Sequence, residues 1–217
     1  MRGNRIQKTK LLIVEGNHED DFFEAYLRHL GITDIQPMPI GGKTRLSDNL
    51  EALAKQASFD EVVTLVIVRD ADDDPGAALQ SVQGALRRAG ISAPSAAWTW
   101  QTVDNPRSSS VQIKVCILIL PGATNQGALE ELLMQTVARD PMYNDAVGLI
   151  RSAVKILSRD ASPRRPPPAH RLGKANAHAF LSTFEEPDKD QGKAAGSGVW
   201  DFTHAALKPV ETILKAM

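Results

Sequence analysis

The chain has 217 residues, 42% of them hydrophobic, with 25 Lys and Arg against 26 Asp and Glu for a formal net charge of −1. That is enough for one substantial core, and it excludes a chain that finds its partners through overall charge alone. The single cysteine, Cys116, excludes a disulfide framework or a Cys-based zinc site and fits a cytoplasmic setting; no apolar run is long enough to span a membrane, and the run behind the basic N-terminus is too short for a signal peptide.

Leu11–Val14 is a short apolar strand, and apolar residues at 22, 23, 26, 27 and 30 then mark a helix that Gly31 stops. A second strand, Ile35–Ile40, closes on Gly41-Gly42, and Leu46, Leu50, Leu53 and Ala57 mark a second helix with Thr44 or Ser47 as its cap. Val62–Val68 is apolar on both faces, as in a parallel sheet covered on both sides. Pro75 opens a third helix that ends near Gly90. This alternation predicts an α/β fold, a Rossmann-like doubly wound, mostly parallel sheet. Trp98–Val103 and Val111–Leu120 read as two further strands or as a hairpin around the polar loop Asp104–Ser110, with Pro121-Gly122 ending the second. Helices are expected over Ala128–Val137, Asn144–Leu157, Lys174–Leu181 and Phe202–Leu214. Between them lie a Pro/Arg-rich loop at 158–173 and a Gly-rich loop at 187–198. The organisation expected is an α/β core over 9–125 and an α-rich C-terminal extension over 126–217 packed on it.

Two acidic clusters fall at strand ends. Glu15 follows the first strand, with Glu19 one helical turn on; Asp70 and Asp72 follow the third, while Asp73 and Asp74, before Pro75, fit helix caps. Open parallel sheets bind ligands outside the carboxyl ends of their strands, and two crossovers bring strands one and three to a common rim. If the chain stays extended, Asp70 and Asp72 point the same way. Carboxylates gathered at one rim repel unless a cation lies between them, which points to a hard divalent ion with oxygen ligands, Mg²⁺ or Mn²⁺. The stretch Arg151–Lys174 carries seven Lys and Arg (151, 155, 159, 164, 165, 171, 174) against one acid, Asp160. An acidic site beside a basic surface suits a polyanion handled through a metal; a plain solvated face is the bland alternative.

Val14-Glu15-Gly16-x-x-Glu19 after one strand and Asp70-x-Asp72 after a later one resemble the TOPRIM domain of bacterial primases, topoisomerases, recombination-repair proteins and OLD-type nucleases. The resemblance covers about residues 9–120. It implies carboxylate-held Mg²⁺ and phosphodiester or phosphoryl-transfer chemistry on nucleic acid. Further on, Glu130 in Gly127-Ala128-Leu129-Glu130 and Lys174 in Gly173-Lys174-Ala175 resemble the later Glu and Lys of OLD-type nucleases, and Trp200-Asp201-Phe202 resembles the ending of small stand-alone TOPRIM-like proteins. The resemblance thus implies a metal-dependent nuclease. Glu15, Asp70 and Asp72 hold one ion, and Glu19 and Glu130 are candidates for a second. Lys174 or Lys43 neutralises phosphate charge, and Arg164, Arg165 and Arg171 bind the nucleic-acid backbone. No ATPase domain occurs in these residues, so an OLD-type activity is expected to work alone or with a separate ATPase partner. Neither Tyr26 nor Tyr143 has the setting of a topoisomerase nucleophile.

The competing reading is a non-catalytic module that binds nucleic acid or a partner within a larger assembly. A receiver domain is disfavoured by the Asp70-x-Asp72 pair, by the long extension, and by Lys114, which is expected to begin rather than end its strand. Gly42-Lys43-Thr44 resembles the tail of a P-loop, but Pro37 stands where its first Gly is required. The five histidines lack paired ligand spacing, although His18 is next to the acidic cluster. Trp98 and Trp100 read as packing residues. Spare apolar surface allows a homodimer.

Overall fold

The computed structural model describes residues 5–158 and 164–217. Arg159 and Asp160, and with them part of the expected 158–173 loop, lie outside the described residues. The strands are β1 (Lys10–Val14), β2 (Ile35–Pro39), β3 (Thr64–Asp70), β4 (Trp100–Asn105) and β5 (Ser108–Leu120). They form one sheet in the order β2-β1-β3-β5-β4. β1 pairs in parallel with β2 and β3, and β3 in parallel with β5; β4 alone runs antiparallel, as a hairpin with β5. The doubly wound, mostly parallel expectation holds, and the open question about the late strands resolves to the hairpin. Edge strand β2 carries Pro37 and Pro39, which the paired interior of a sheet would not tolerate.

Alternation along the strands builds two cores. Leu12, Val14, Val66, Val68, Cys116 and Leu118 face one side; Leu11, Ile13, Leu65, Ile67, Val115 and Ile117 face the other. The second face is covered by α2 (Leu46–Ala54) and α3 (Pro75–Arg88). The first is covered by α1 (Asn17–His29), through Phe22, Phe23 and Tyr26, and by the helices after the sheet. Those are α4 (Leu129–Thr136), α5 (Tyr143–Leu157), α6 (Leu172–Leu181), α7 (Gln191–Gly196) and α8 (Lys208–Lys215). Burial pushes the Cys116 thiol up to about 12, so it behaves as a small apolar core residue. No helix among the described residues is long and apolar enough to cross a membrane.

Several local expectations hold. Gly31 (φ 70°) and Gly90 (φ 78°) follow the ends of α1 and α3 in the left-handed conformation that glycine adopts without strain. Asp74 caps α3, accepting the Ala77 N–H at 2.9 Å. Others need correction. Neither Thr44 nor Ser47 caps α2, which follows a 3₁₀ turn at Lys43–Arg45 and has no side-chain cap. The last helix begins at Lys208 rather than Phe202. The stretch read as a Gly-rich loop contains α7, for which Asp190 is the cap, bonding the Lys193 N–H at 2.9 Å. Trp98 lies outside β4, at φ 63°. Lys114 is in the middle of β5, not at its start, with its ammonium over the Trp100 ring.

Candidate functional site

The rim at the carboxyl ends of β1 and β3 gathers most of the residues singled out above. Glu15 follows β1, and Asp70 is the last residue of β3. Asp70 Oδ1 accepts the Leu129 N–H at 3.1 Å, so its carboxylate stands at the first turn of α4. Its pKa is raised well above the usual aspartate range, first by burial and then by the charges of Glu19, Glu130 and Glu15. Four carboxylates therefore share this end of the sheet, and one backbone N–H does not offset their repulsion at Asp70.

Basic side chains answer the charge of the others. Arg69, with 9% of its side chain exposed, pairs with Glu15 and reaches Asp72 Oδ2 at 3.5 Å. Its Nε is buried without a hydrogen-bond partner. Lys43 extends from the turn after Gly41-Gly42 to Asp72 Oδ2 at 3.2 Å. That turn needs both glycines, at φ 81° and 94°. Sequence reasoning passed over Arg69, yet a basic residue directly before an acidic strand end was a usable signal.

Asp72 differs from the extended geometry expected of it. The chain leaves β3 at Asp70, and Asp72 adopts φ 50°. Two backbone hydrogen bonds with Gly127, both 2.9 Å, hold it there. The premise that Asp70 and Asp72 point the same way along an extended strand is thus corrected: a turn, not a pleat, sets Asp72's direction.

The C-terminal elements complete the rim. Glu130, only 3% exposed, accepts Gln191 Nε2 at 2.8 Å and has Lys174 Nζ at 3.8 Å. Gln191 is fixed in turn by Trp200, whose indole N–H donates to its carbonyl at 2.9 Å. Glu131 has a different task. Its carboxylate accepts the Ala128 N–H at 2.7 Å and the Gly173 N–H at 2.9 Å, tying the first turns of α4 and α6 together. That tie sets Lys174 beside Glu130. His170 Nδ1 lies 2.5 Å from Asp73 Oδ1, drawing the same segment toward the β3 end. Arg164, Arg165 and Arg171 are exposed along this segment. α7 packs on the first turn of α1, where a side chain at Gly192 would overlap the His18 carbonyl, and His18 itself faces Asp190 at 3.3 Å. In Trp200-Asp201-Phe202 the aromatics grip α7 and α1: Trp200 bonds Gln191, and Phe202 packs on Phe22 and Tyr26 with centroids 5.9 and 5.1 Å apart. Tyr26 is fully buried and bonds the Leu207 carbonyl, so its hydroxyl is a structural group.

The donor set is all carboxylate oxygen, which suits Mg²⁺ or Mn²⁺. The side chains nonetheless stand turned toward Arg69, Lys43, Gln191 and Lys174. Among the described residues no three His, Cys, Asp or Glu side chains form a ready-made metal cage. The chemistry of the rim is that of a site for a hard cation.

No curated protein and no solved structure matches the chain. One family matches residues 9–217, spanning the sheet, the rim and all of the C-terminal helices. The chain belongs to that family, described as protein of unknown function (DUF3226).

Proposed function

We propose that the protein is a Mg²⁺-dependent phosphodiesterase of TOPRIM-like type, a nuclease acting on nucleic acid in a cytoplasmic setting. The observation that carries this reading is Asp70: a carboxylate at the end of the central strand, its pKa raised by burial and by Glu19, Glu130 and Glu15. Such a group is stabilised by a cation or by a proton. Glu15, Glu19, Asp70 and Glu130 would hold the ion, with Asp72 at its edge. When bound, the ion supplies Lewis-acid polarisation of a phosphoryl oxygen. Arg69 and Lys43 keep Glu15 and Asp72 oriented, and Gly127 fixes the backbone of Asp72. Lys174 neutralises phosphate charge beside Glu130. Arg164, Arg165 and Arg171 line the approach and attract the polyanion.

The test is cleavage of supercoiled plasmid by the purified chain with Mg²⁺ or Mn²⁺, beside Asp70→Asn, Glu130→Gln and a chelator control. Nicking by the wild type alone is expected. Equal nicking by Asp70→Asn overturns the assignment of the rim. A second reading has its own support: Arg69 already answers Glu15 and Asp72 with an internal cation, as suits a non-catalytic module that binds nucleic acid or works beside a separate ATPase. Retained nucleic-acid binding with no cleavage, and no effect of Mg²⁺ on thermal stability, selects that reading.

A further inference from the structure

Among the described residues five large hydrophobic side chains are exposed, and three of them follow one helix: Met142 (42%) at the N-cap of α5, and Leu149 (63%) and Ile156 (62%) within it. Their spacing of seven residues puts them on one line, since an α-helix turns about 100° per residue and seven residues return to within about 20° of the start. Ala153 lies beside that line, about 40° away by the same geometry. The adjoining apolar arc carries Tyr143, Ala146, Val147 and Val154, which are partly or fully buried where α5 packs on α6. Ala146 is the only residue of α5 that is fully buried. The helix thus has an apolar arc of about half its circumference, and its own chain covers only one side of it.

The charges at the two ends of α5 indicate what covers the rest: Asp145 lies about 40° from Leu149 and Lys155 about 120° away on the same side. Asp145 is in the first turn of α5 and Lys155 in the last. Both are exposed, and neither has an ion-pair partner among the described residues. We propose that the stripe is the contact of a symmetric dimer in which α5 packs antiparallel against α5 of a second copy. With the two-fold axis at Leu149, that residue meets Leu149 of the second copy, and Met142 meets Ile156. Each Asp145 then faces the end of the helix that carries Lys155, and the helix dipoles oppose one another. A parallel pairing would set Asp145 level with Asp145 and Lys155 level with Lys155. One helix pair is a small contact beside the roughly 1,600 Å² of a standard interface, so a weak association is the one to look for.

Sedimentation of the full chain across the micromolar range tests this, with Leu149→Glu beside the wild type. A concentration-dependent dimer is expected, with its dissociation constant raised at least ~10-fold by Leu149→Glu. The substitution is on the surface, so an unchanged circular dichroism spectrum shows that folding is intact. Cysteine variants read the direction of pairing. Leu149→Cys should form a disulfide-linked dimer under oxidation, and so should Met142→Cys/Ile156→Cys, whereas Met142→Cys alone should not. Cys116 is fully buried and does not interfere. A monomer at every concentration assigns the stripe to another partner and overturns the proposal. So does a dimer indifferent to Leu149→Glu, or one cross-linked by Met142→Cys alone.

Discussion

The guanidinium of Arg69, near the end of β3, lies against the carboxylate of Glu15, just past the end of β1, and extends to Asp72 at 3.5 Å. The positive charge in the middle of this acidic rim is therefore part of the chain itself. It answers Glu15 and Asp72, whereas at Asp70 burial and three neighbouring carboxylates prevail. This asymmetry organises the behaviour expected of the site.

Removing that internal cation should expose the competition at the rim. Arg69→Met keeps the length of the side chain but leaves Glu15 and Asp72 to repel each other and Asp70. Because about a quarter of Glu15 is exposed, the expected loss is modest, on the order of 1–3 kcal/mol, or roughly 2–4 °C in Tm per kcal/mol for a chain of this size. Mg²⁺ should raise the Tm of Arg69→Met by more than it raises that of the wild type. Thermal unfolding with and without Mg²⁺ measures both. An equal shift in the two proteins would show that the ion does not take the place of the guanidinium.

Asp70 predicts a pH dependence with a definite sign. Its pKa is raised in the folded chain, so the folded state holds a proton that the unfolded state releases. Its contribution to stability is present at low pH and lost as pH rises through the raised value. Asp70→Asn cannot ionise and escapes that loss. The variant should be the more stable protein at neutral pH, with the difference closing as pH falls into the ordinary aspartate range. Denaturant titrations of both proteins across that window give the difference directly, and titrating groups remote from the rim cancel in it. A gap that widens as pH falls would mean that Asp70 is better stabilised as a carboxylate than its neighbours allow.

Much of this arrangement was legible in the order of residues. β1, β3 and β5 are apolar runs without competing periodicities, and the acids behind β1 and β3 are local to their strands. Glu130 and Lys174 could be named only through the resemblance of Gly127-Ala128-Leu129-Glu130 and Gly173-Lys174-Ala175 to OLD-type nucleases. The parts not foreseen depend on long-range pairings. Arg69, directly before an acidic strand end, could have been singled out, but the acid it answers is set only when Glu15 lies beside it. Glu131 acts across 42 residues of sequence, on Gly173. Gly192 and Gly196 lower helix propensity, and α7 forms where Asp190 caps it, Trp200 holds Gln191, and only a glycine at 192 fits against the His18 carbonyl. Asp72 turned out of the extended path because its partner, Gly127, follows β5 rather than β3.

The Glu131–Gly173 tie gives a prediction independent of any ligand. A Cβ at position 173 would overlap the Glu131 carboxylate, which is already committed to two backbone N–H groups. Gly173→Ala should therefore separate the first turns of α4 and α6 at a cost of about 1–3 kcal/mol. Glu131→Ala should cost a similar amount by losing the same bonds. Because both changes break one tie, the double variant should be little worse than either single one. Chemical denaturation of the four proteins completes the cycle, and additive losses would show that residues 131 and 173 act separately.

The basic segment predicts a salt dependence. Arg164, Arg165 and Arg171 are exposed, and Lys174 Nζ stands 3.8 Å from Glu130. If these side chains neutralise phosphates, removing one of them should make the slope of log K against log salt shallower by about 0.9 for duplex DNA or about 0.7 for a single strand. Arg164→Ala/Arg165→Ala should thus reduce the slope by nearly twice that amount and weaken binding about equally for unrelated sequences, since a phosphate carries no base information. Lys174→Ala should affect binding less, because its ammonium is shared with Glu130, and cleavage more. Fluorescence anisotropy with labelled duplex and single-stranded oligonucleotides at several salt concentrations gives the slopes. An unchanged slope in the double variant would place the polyanion on another surface of the protein.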